Sequence, residues 1–376
     1  VPFLAAVLRV PEERPAFRNL SGMDWALVAS AMLLAVIGTA TVHSASSAMA
    51  VDYMPRQALW VGIGAILMVI AAAVNYRLLV ELAMPGYIFG LGLLVAVIFV
   101  GRVGGGARSW LGYGAFGVQP AEIAKLTTAV LVASYLAGVN RSHLGLKEIG
   151  VASLLTAIPM ALIAVQPDLG SAAMFVPMLG GMLLVAGIRW KVIVTAVIVV
   201  ALLAGALWMF GLHDYQRQRV YTFLNPSSDP LGAGYQVQQS KIAVGSGEML
   251  GKGYMQGSQS QLRFLPARHT DFVFAVLAEE WGFLGAIVVL LLYGVWIVNA
   301  LRIAQRARER VAVMLITGVV SLVSFHVIYN TAMVVGFVPI TGIPLPFLSY
   351  GGSFTLVNFA ITGLILSIDA RRYVNA

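Results

Sequence analysis

Runs of about 20 predominantly apolar residues recur along nearly the whole of this chain, which is the length an α-helix needs to cross the hydrocarbon of a bilayer. A segment in lipid must satisfy its own backbone polar groups, and a helix does so within itself. Only 11% of the 376 residues are charged and 59% are hydrophobic, whereas about a quarter are charged in a soluble domain. The sequence therefore predicts an all-α, polytopic membrane protein of about ten spans. These are placed at 25–43, 57–74, 82–100, 121–139, 149–165, 170–188, 192–210, 272–299, 311–335 and 354–369. The whole of 1–376 reads as a single integral membrane domain, with an arm over 1–24, a long loop over 211–271 between the seventh and eighth spans, and a tail over 370–376.

Charge orients this bundle. Arg9, Arg14 and Arg18, then Arg77, Arg141, Lys147, Arg189, Lys191, the cluster Arg302–Arg310, and Arg371 and Arg372 all fall on one face. The short loops of the other face hold Arg56, Arg102 and Arg108. The positive-inside rule puts both termini in the cytoplasm. The net charge of +8 thus reads as basic cytoplasmic loops, with no nucleic-acid partner implied. With no cysteine, disulfide and thiolate chemistry are excluded. No HExxH, Gly-x-Ser-x-Gly or Asp-rich metal box occurs, which leaves room only for a loosely held divalent cation shared with phosphate.

The unusual polar sequences all fall on the outer face. Gln119-Pro-Ala-Glu122-Ile-Ala-Lys125 opens the fourth span. Pro120 suits the first helical position and Glu122 the positive end of the dipole; Lys125 pairs with Glu122 at i,i+3 or snorkels outward, or, since it opposes that dipole, is satisfied by a bound phosphate. Arg108 follows a glycine-rich stretch, and an arginine can chelate phosphate oxygens bidentately. Asp168, in Gln166-Pro-Asp-Leu-Gly170, reads equally as a helix cap or as a site acid. Pro344–Ser353, with Ser349 at its centre, reads as a re-entrant loop.

Asp271 closes the stretch Arg263–Asp271, shortly after Arg268 and His269. It is either the cap of the eighth span, with Thr270 as competitor, or a general base flanked by cations. Glu279 lies eight residues on, about 12 Å along the helix. With Glu280 it is expected to bond neighbouring helices, such as the one bearing His326 and Asn330. In the long loop, Tyr235–Val244 is expected to lie as a short amphipathic helix on the membrane surface, and Gly245–Gly257 to be irregular.

Together Arg268-His-Thr-Asp-Phe-Val-Phe-Ala-Val-Leu-Ala-Glu-Glu280, Gln119–Lys125, Gln166–Gly170 and Pro344-Leu-Pro-Phe-Leu-Ser-Tyr-Gly-Gly352 resemble the SEDS family of bacterial shape, elongation, division and sporulation proteins. The residues around Asp271 look more like the rod-shape elongation branch than the division branch. The resemblance implies a peptidoglycan glycosyltransferase of the bacterial inner membrane that polymerises lipid II outside the cytoplasm. It implies a growing glycan strand, a class B penicillin-binding protein and other elongation-complex membrane proteins as partners. It matches Asp271 to the family's essential aspartate. Arg108, Glu122, Lys125, Asp168 and Ser349 match its outer-face polar residues, joined by Arg268 and His269 as pyrophosphate-binding expectations. Mg or Mn near Glu122 and Asp168 is the one cofactor in question. Two departures are Ser109, where a second basic residue often stands, and Phe354, where relatives often have a small polar residue. A flippase for the lipid-linked precursor is the alternative, and it rests on Glu279 and Glu280 lying within the membrane.

Overall fold

The computed structural model describes residues 23–371 apart from 48, 50, 105–106, 113–116, 140–142 and 196–231 other than 198, 205 and 221. Most of the expected seventh span, of the arm and of the tail, and the first part of the long loop, lie outside the described residues. Among the described residues, eight helical stretches are long and apolar enough to cross a membrane: α1 (Trp25–Ser47), α2 (Met54–Ala73), α4 (Ala83–Val100), α6 (Leu146–Val165), α7 with α8 (Leu169–Ala173 and Phe175–Ala186), α11 (Val273–Arg306), α12 (Arg310–Val334) and α13 (Gly352–Arg371). Shorter or more polar are α3 (Tyr76–Glu81), α5 (Pro120–Ala137), α9 (Ala233–Ser246) and α10 (Ser258–Gln261).

The core lies around α5, α12 and α13. The apolar windows of α13 and α12 are 78% and 61% buried, against 28% for α4. The outer helices turn Ile66, Phe89, Phe99 and Leu154 outward, as side chains facing lipid tails do. Small residues let helices approach where they cross: a Cβ at Gly363 would meet Met68 O at 2.3 Å.

One end of the bundle gathers the basic connectors. Asp24 N donates to Asp369 Oδ2 at 3.1 Å, which brings the start of the first helix to the end of the last. Arg371 Nη2 donates to Ala73 O at 2.6 Å, and Arg77 Nε donates to Glu309 Oε1 at 2.9 Å. Arg310 donates to Val139 O there too.

Three connecting segments take defined forms. The glycine-rich stretch around Arg108 is an antiparallel hairpin, β1 (Arg102–Gly104) on β2 (Ala107–Trp110), the one sheet among the described residues. The helix expected at Tyr235–Val244 is present as α9. It buries Val237 and Ala243 and bonds Ser240 Oγ to Val334 O at 2.8 Å, packed against α11 and α12. Residues 247–253 form neither helix nor strand, as expected, and they close a break in α11. Gly282 sits there at φ 67, ψ −165, a backbone that glycine adopts without steric cost. Four main-chain bonds close the gap: Phe283 N to Glu248 O (2.9 Å), Leu284 N to Met249 O (3.2 Å), Lys252 N to Glu279 O (3.0 Å) and Gly253 N to Glu280 O (3.0 Å). Helical backbone groups freed by the break are thereby satisfied without water.

Glu279 and Glu280 are structural, but their partners are not on α12. Glu279 is fully buried and accepts from Lys252 Nζ at 2.7 Å, Ser258 Oγ at 3.1 Å, Gln259 N at 3.0 Å and Ser260 N at 3.3 Å. Glu280 accepts from Ser44 Oγ of α1. Both acids tie the long loop and the first helix to the break in α11.

Candidate functional site

A cavity of about 350 Å³ opens at the end of the bundle opposite the basic connectors, within the ~300–1,000 Å³ of small-molecule sites. Four expected outer segments meet in it: the hairpin and start of α5, the start of α7, the turn before α11, and the connection from α12 to α13.

Asp271 lies half-buried on its wall. It does not cap α11: the cap position is Phe272, with no side-chain bond. Ala267 takes a left-handed φ of 48, and its carbonyl collects the N–H groups of Thr270 (3.1 Å), Asp271 (3.0 Å) and Phe272 (3.3 Å). That turn leaves the Asp271 side chain outside the helix hydrogen bonds. Its backbone is clamped from both sides. Ser349 Oγ donates to Thr270 O at 2.6 Å, and Asn330 Nδ2 donates to Asp271 O at 2.8 Å and Ile343 O at 2.7 Å. Burial, then the nearby Asp168 charge, push the Asp271 carboxyl up to about 6, opposed by a bond from Thr270. Gly342, at φ 70, leaves room beside it: a Cβ there would stand 3.6 Å from Asp271 Oδ2.

Asp168 lines the cavity and also caps α7. Its carboxylate accepts from Ser171 N (3.0 Å), Ser171 Oγ (2.8 Å) and Gln119 Nε2 (3.1 Å). Gln119 thereby ties the start of α5 to the start of α7. Glu122 lines the cavity as well, 4% exposed, and bonds Lys125 Nζ at 2.8 Å.

Lys125 pairs with Glu122 as the i,i+3 spacing allows, and the other expected cations lie off the cavity wall. Lys125 is 1% exposed and sits behind Glu122, with its ammonium 5.9 Å from the Phe354 ring centroid. The departure at Phe354 thus supplies an aromatic face to a buried cation. Successive strand residues face opposite sides. On β2 this buries Ser109 in the cavity wall and leaves Arg108 exposed, with its Nη1 3.4 Å from Ile98 O. Arg268 is turned away and buried, its guanidinium on Ser260 O, beside a second cavity of about 210 Å³. His269 stacks on Tyr53 at 4.7 Å and 2°, and burial with the neighbouring Arg268 holds its pKa below the usual value. Ser349 is fully buried and bonded to Thr270 O and Leu345 N, so it positions the turn without reaching the cavity. Among the described residues the cavity wall carries Asp271, Asp168 and Glu122 and no Arg or Lys.

Glu122 and Asp168 by themselves are too few ligands for a resident divalent cation; such an ion would have to be shared with a phosphate. Glu122 is committed to Lys125 and Asp168 to Ser171 and Gln119. No group of three His, Cys, Asp or Glu side chains among the described residues could hold a metal. Sequence reasoning missed His326, Thr341 and Tyr350 as cavity residues. The available signal was their proximity to the Pro344 loop, which the sequence already marks as re-entrant.

The FtsW, RodA and SpoVE family of cell cycle proteins matches residues 24–374. The chain is 41% identical over 345 residues to the peptidoglycan glycosyltransferase MrdB of Escherichia coli K12, covering 91% of this chain and 92% of that one. In structure it is similar to a chain of a peptidoglycan synthase complex solved for its coordination of polymerization and crosslinking (TM-score 0.81, 32% identity, 93% and 98% covered). It is also similar to the rod shape determining protein RodA of Thermus thermophilus (TM-score 0.71, 28% identity, 96% and 99% covered).

Proposed function

The chain belongs to the FtsW, RodA and SpoVE family and is a multi-pass peptidoglycan glycosyltransferase of the RodA and MrdB type; from that premise we propose that it polymerises lipid II at the cavity holding Asp271. Asp271 takes the proton of the 4-hydroxyl on the GlcNAc of one lipid-linked disaccharide. The resulting oxygen forms a bond to the anomeric carbon of the other substrate's MurNAc as the bond to polyprenyl pyrophosphate breaks. One displacement inverts that carbon, so a single base suffices. The observation that carries this reading is an uncapped, half-buried carboxylate in a cavity, raised to about 6. A base in that range is ionised at neutral pH yet accepts a proton more readily than an ordinary carboxylate.

The cavity wall is acidic, so the pyrophosphate belongs at its mouth. Arg108, on the hairpin beside the lining residue Ser109, can meet it there. Lys125 acts from behind Glu122 by neutralising that carboxylate, and Asp168 with Gln119 fixes the two helix starts. Arg268, His269 and Ser349 support the turn that carries the base. The basic connectors support a reading, by the positive-inside rule, in which both termini are cytoplasmic and the cavity faces outward. A class B penicillin-binding protein is the partner that would crosslink the strands, alongside other membrane proteins of the elongation complex. The flippase alternative needs polar groups free at mid-membrane; Glu279 is saturated by the loop, and Glu280, bonded to Ser44 through one oxygen with Oε2 unpartnered, is the feature that still favours it. Purified protein with its transpeptidase partner is expected to polymerise lipid II, and Asp271→Ala to abolish that activity while the protein still binds the substrate. An Asp271→Ala variant as active as the parent removes the proposed base.

A further inference from the structure

On α12 the side chain of His326 reaches the same cavity, and nothing in the reaction as drawn uses it. It is 3% exposed, and its Nδ1 lies 3.0 Å from Pro344 O. A carbonyl oxygen only accepts, so Nδ1 carries the proton, and in the neutral ring Nε2 is left as a lone-pair acceptor. That Nε2 is buried and has no hydrogen-bond partner in the protein. Buried acceptors are nearly always bonded, so an orphan on a cavity wall marks a place where a ligand supplies the donor.

Three further observations fix what that ligand presents. Asn330 stands one turn along α12 from His326 and bonds Asp271 O, and residues four apart share a helix face. The face that sets the position of the base therefore also sets the imidazole. Thr341 Oγ1 is a second buried polar atom on the cavity wall without a partner, and a hydroxyl of that kind both donates and accepts. The ring of Phe354 lies 5.2 Å from that of His326 and closes the apolar side. An acceptor nitrogen, a hydroxyl and an aromatic face suit the edge of an amino sugar. The acceptor nitrogen does not suit an ionised phosphate, which has no proton to give.

We propose that His326 is a substrate-binding residue whose Nε2 accepts a hydrogen bond from a sugar hydroxyl or acetamido N–H of the lipid-linked substrate seated against Asp271. The proposal rests on the cavity being the glycosyl-transfer site. It makes His326 a reader of the sugar and leaves the leaving group to the cavity mouth.

The test uses the full chain with its transpeptidase partner and lipid II as the probe. His326→Phe keeps an aromatic ring of similar size and removes the acceptor; it is expected to lower kcat/KM about 10-fold, chiefly through KM. His326→Gln restores an acceptor and is expected to recover to within about threefold of the parent. Equal unfolding temperatures establish that all variants are folded, and His326→Leu replaces the phenylalanine variant if that one is not. Direct titration of lipid II onto Asp271→Asn, with and without His326→Phe, reads binding with no turnover; the second change is expected to weaken binding about 10-fold. Parent-like KM in His326→Phe, or equal impairment of the Phe and Gln variants, overturns the proposal. If instead Asp271→Ala polymerises lipid II normally, the reaction assignment falls, and the titration still decides the role of His326.

Discussion

Asp271 and Glu279 stand eight residues apart at the same end of α11, yet they are held in opposite ways. Glu279 is fully buried and saturated, accepting from an ammonium, a hydroxyl and two backbone N–H groups. Asp271 caps nothing and has no ion pair among the described residues. Its backbone, by contrast, is fixed from α12 and from the Pro344 loop. The contrast separates two uses of a carboxylate. One whose bonding capacity is consumed by the protein holds the fold together; one whose main chain is rigid and whose oxygens are left over is available to a substrate.

The sharpest way to break this comparison is to remove the charge from each acid in turn. Asp271→Asn is expected to lower polymerisation by about 10²–10⁴-fold, the usual contribution of a positioned base. Its stability should move the other way. A carboxyl raised to about 6 in the folded state, from 3.8, contributes stability that is full below the lower value and lost as pH rises through the higher one. At pH 7 the ionised Asp271 is therefore a net cost, and the asparagine variant is expected to be more stable by about 1–2 kcal/mol, discounted for partial exposure. Thermal unfolding in detergent at pH 7 measures the difference. A variant that is less stable as well as inactive would make Asp271 another structural acid.

Glu279→Gln should show the reverse pattern. It strips the counter-charge from Lys252 and leaves one acceptor oxygen for four donors, a loss expected at about 2–4 kcal/mol. The loop 247–253 would loosen from the break at Gly282. Activity per folded molecule should be retained, since Glu279 lines no part of the cavity among the described residues. Unfolding midpoints and active-site-normalised rates together decide this. A fall in rate with no fall in midpoint would return Glu279 to the transport reading.

How far this arrangement could be read from the chain depends on what fixes each side chain. Helical spans are legible because apolar length alone decides them, and the starts of α5 and α7 are legible because Pro120 and Pro167 precede Glu122 and Asp168. The directions of Arg108 and Arg268 are not. A two-stranded pairing turns Arg108 outward, and the left-handed backbone at Arg263 and Ala267 turns Arg268 under the loop. Partners distant in sequence are the hardest to read. Glu279 finds its donors in a glycine-rich segment that looks structureless until Gly282 opens the helix for it. His326 gains its place only when Pro344 and Phe354 arrive from the following connection.

A smaller effect tests whether the environment of Asp271 is what tunes it. Asp168 is the charge that raises the Asp271 carboxyl after burial itself. Asp168→Asn keeps an oxygen for Ser171 N and so preserves the start of α7, while its negative charge is gone. Ionised Asp271 then has no like charge to oppose it, its pKa falls, and the base is deprotonated at lower pH. In the parent the acid limb of the pH–rate profile is expected near about 6, with activity rising as Asp271 loses its proton. In Asp168→Asn that limb should move to lower pH, and the plateau rate should drop modestly because the base is weaker. Glu279→Gln, on the same helix but outside the cavity, should leave the limb where it is. A limb that stays fixed in Asp168→Asn would mean that another group titrates in the reaction, and the distinction between the two acids would then rest on geometry alone.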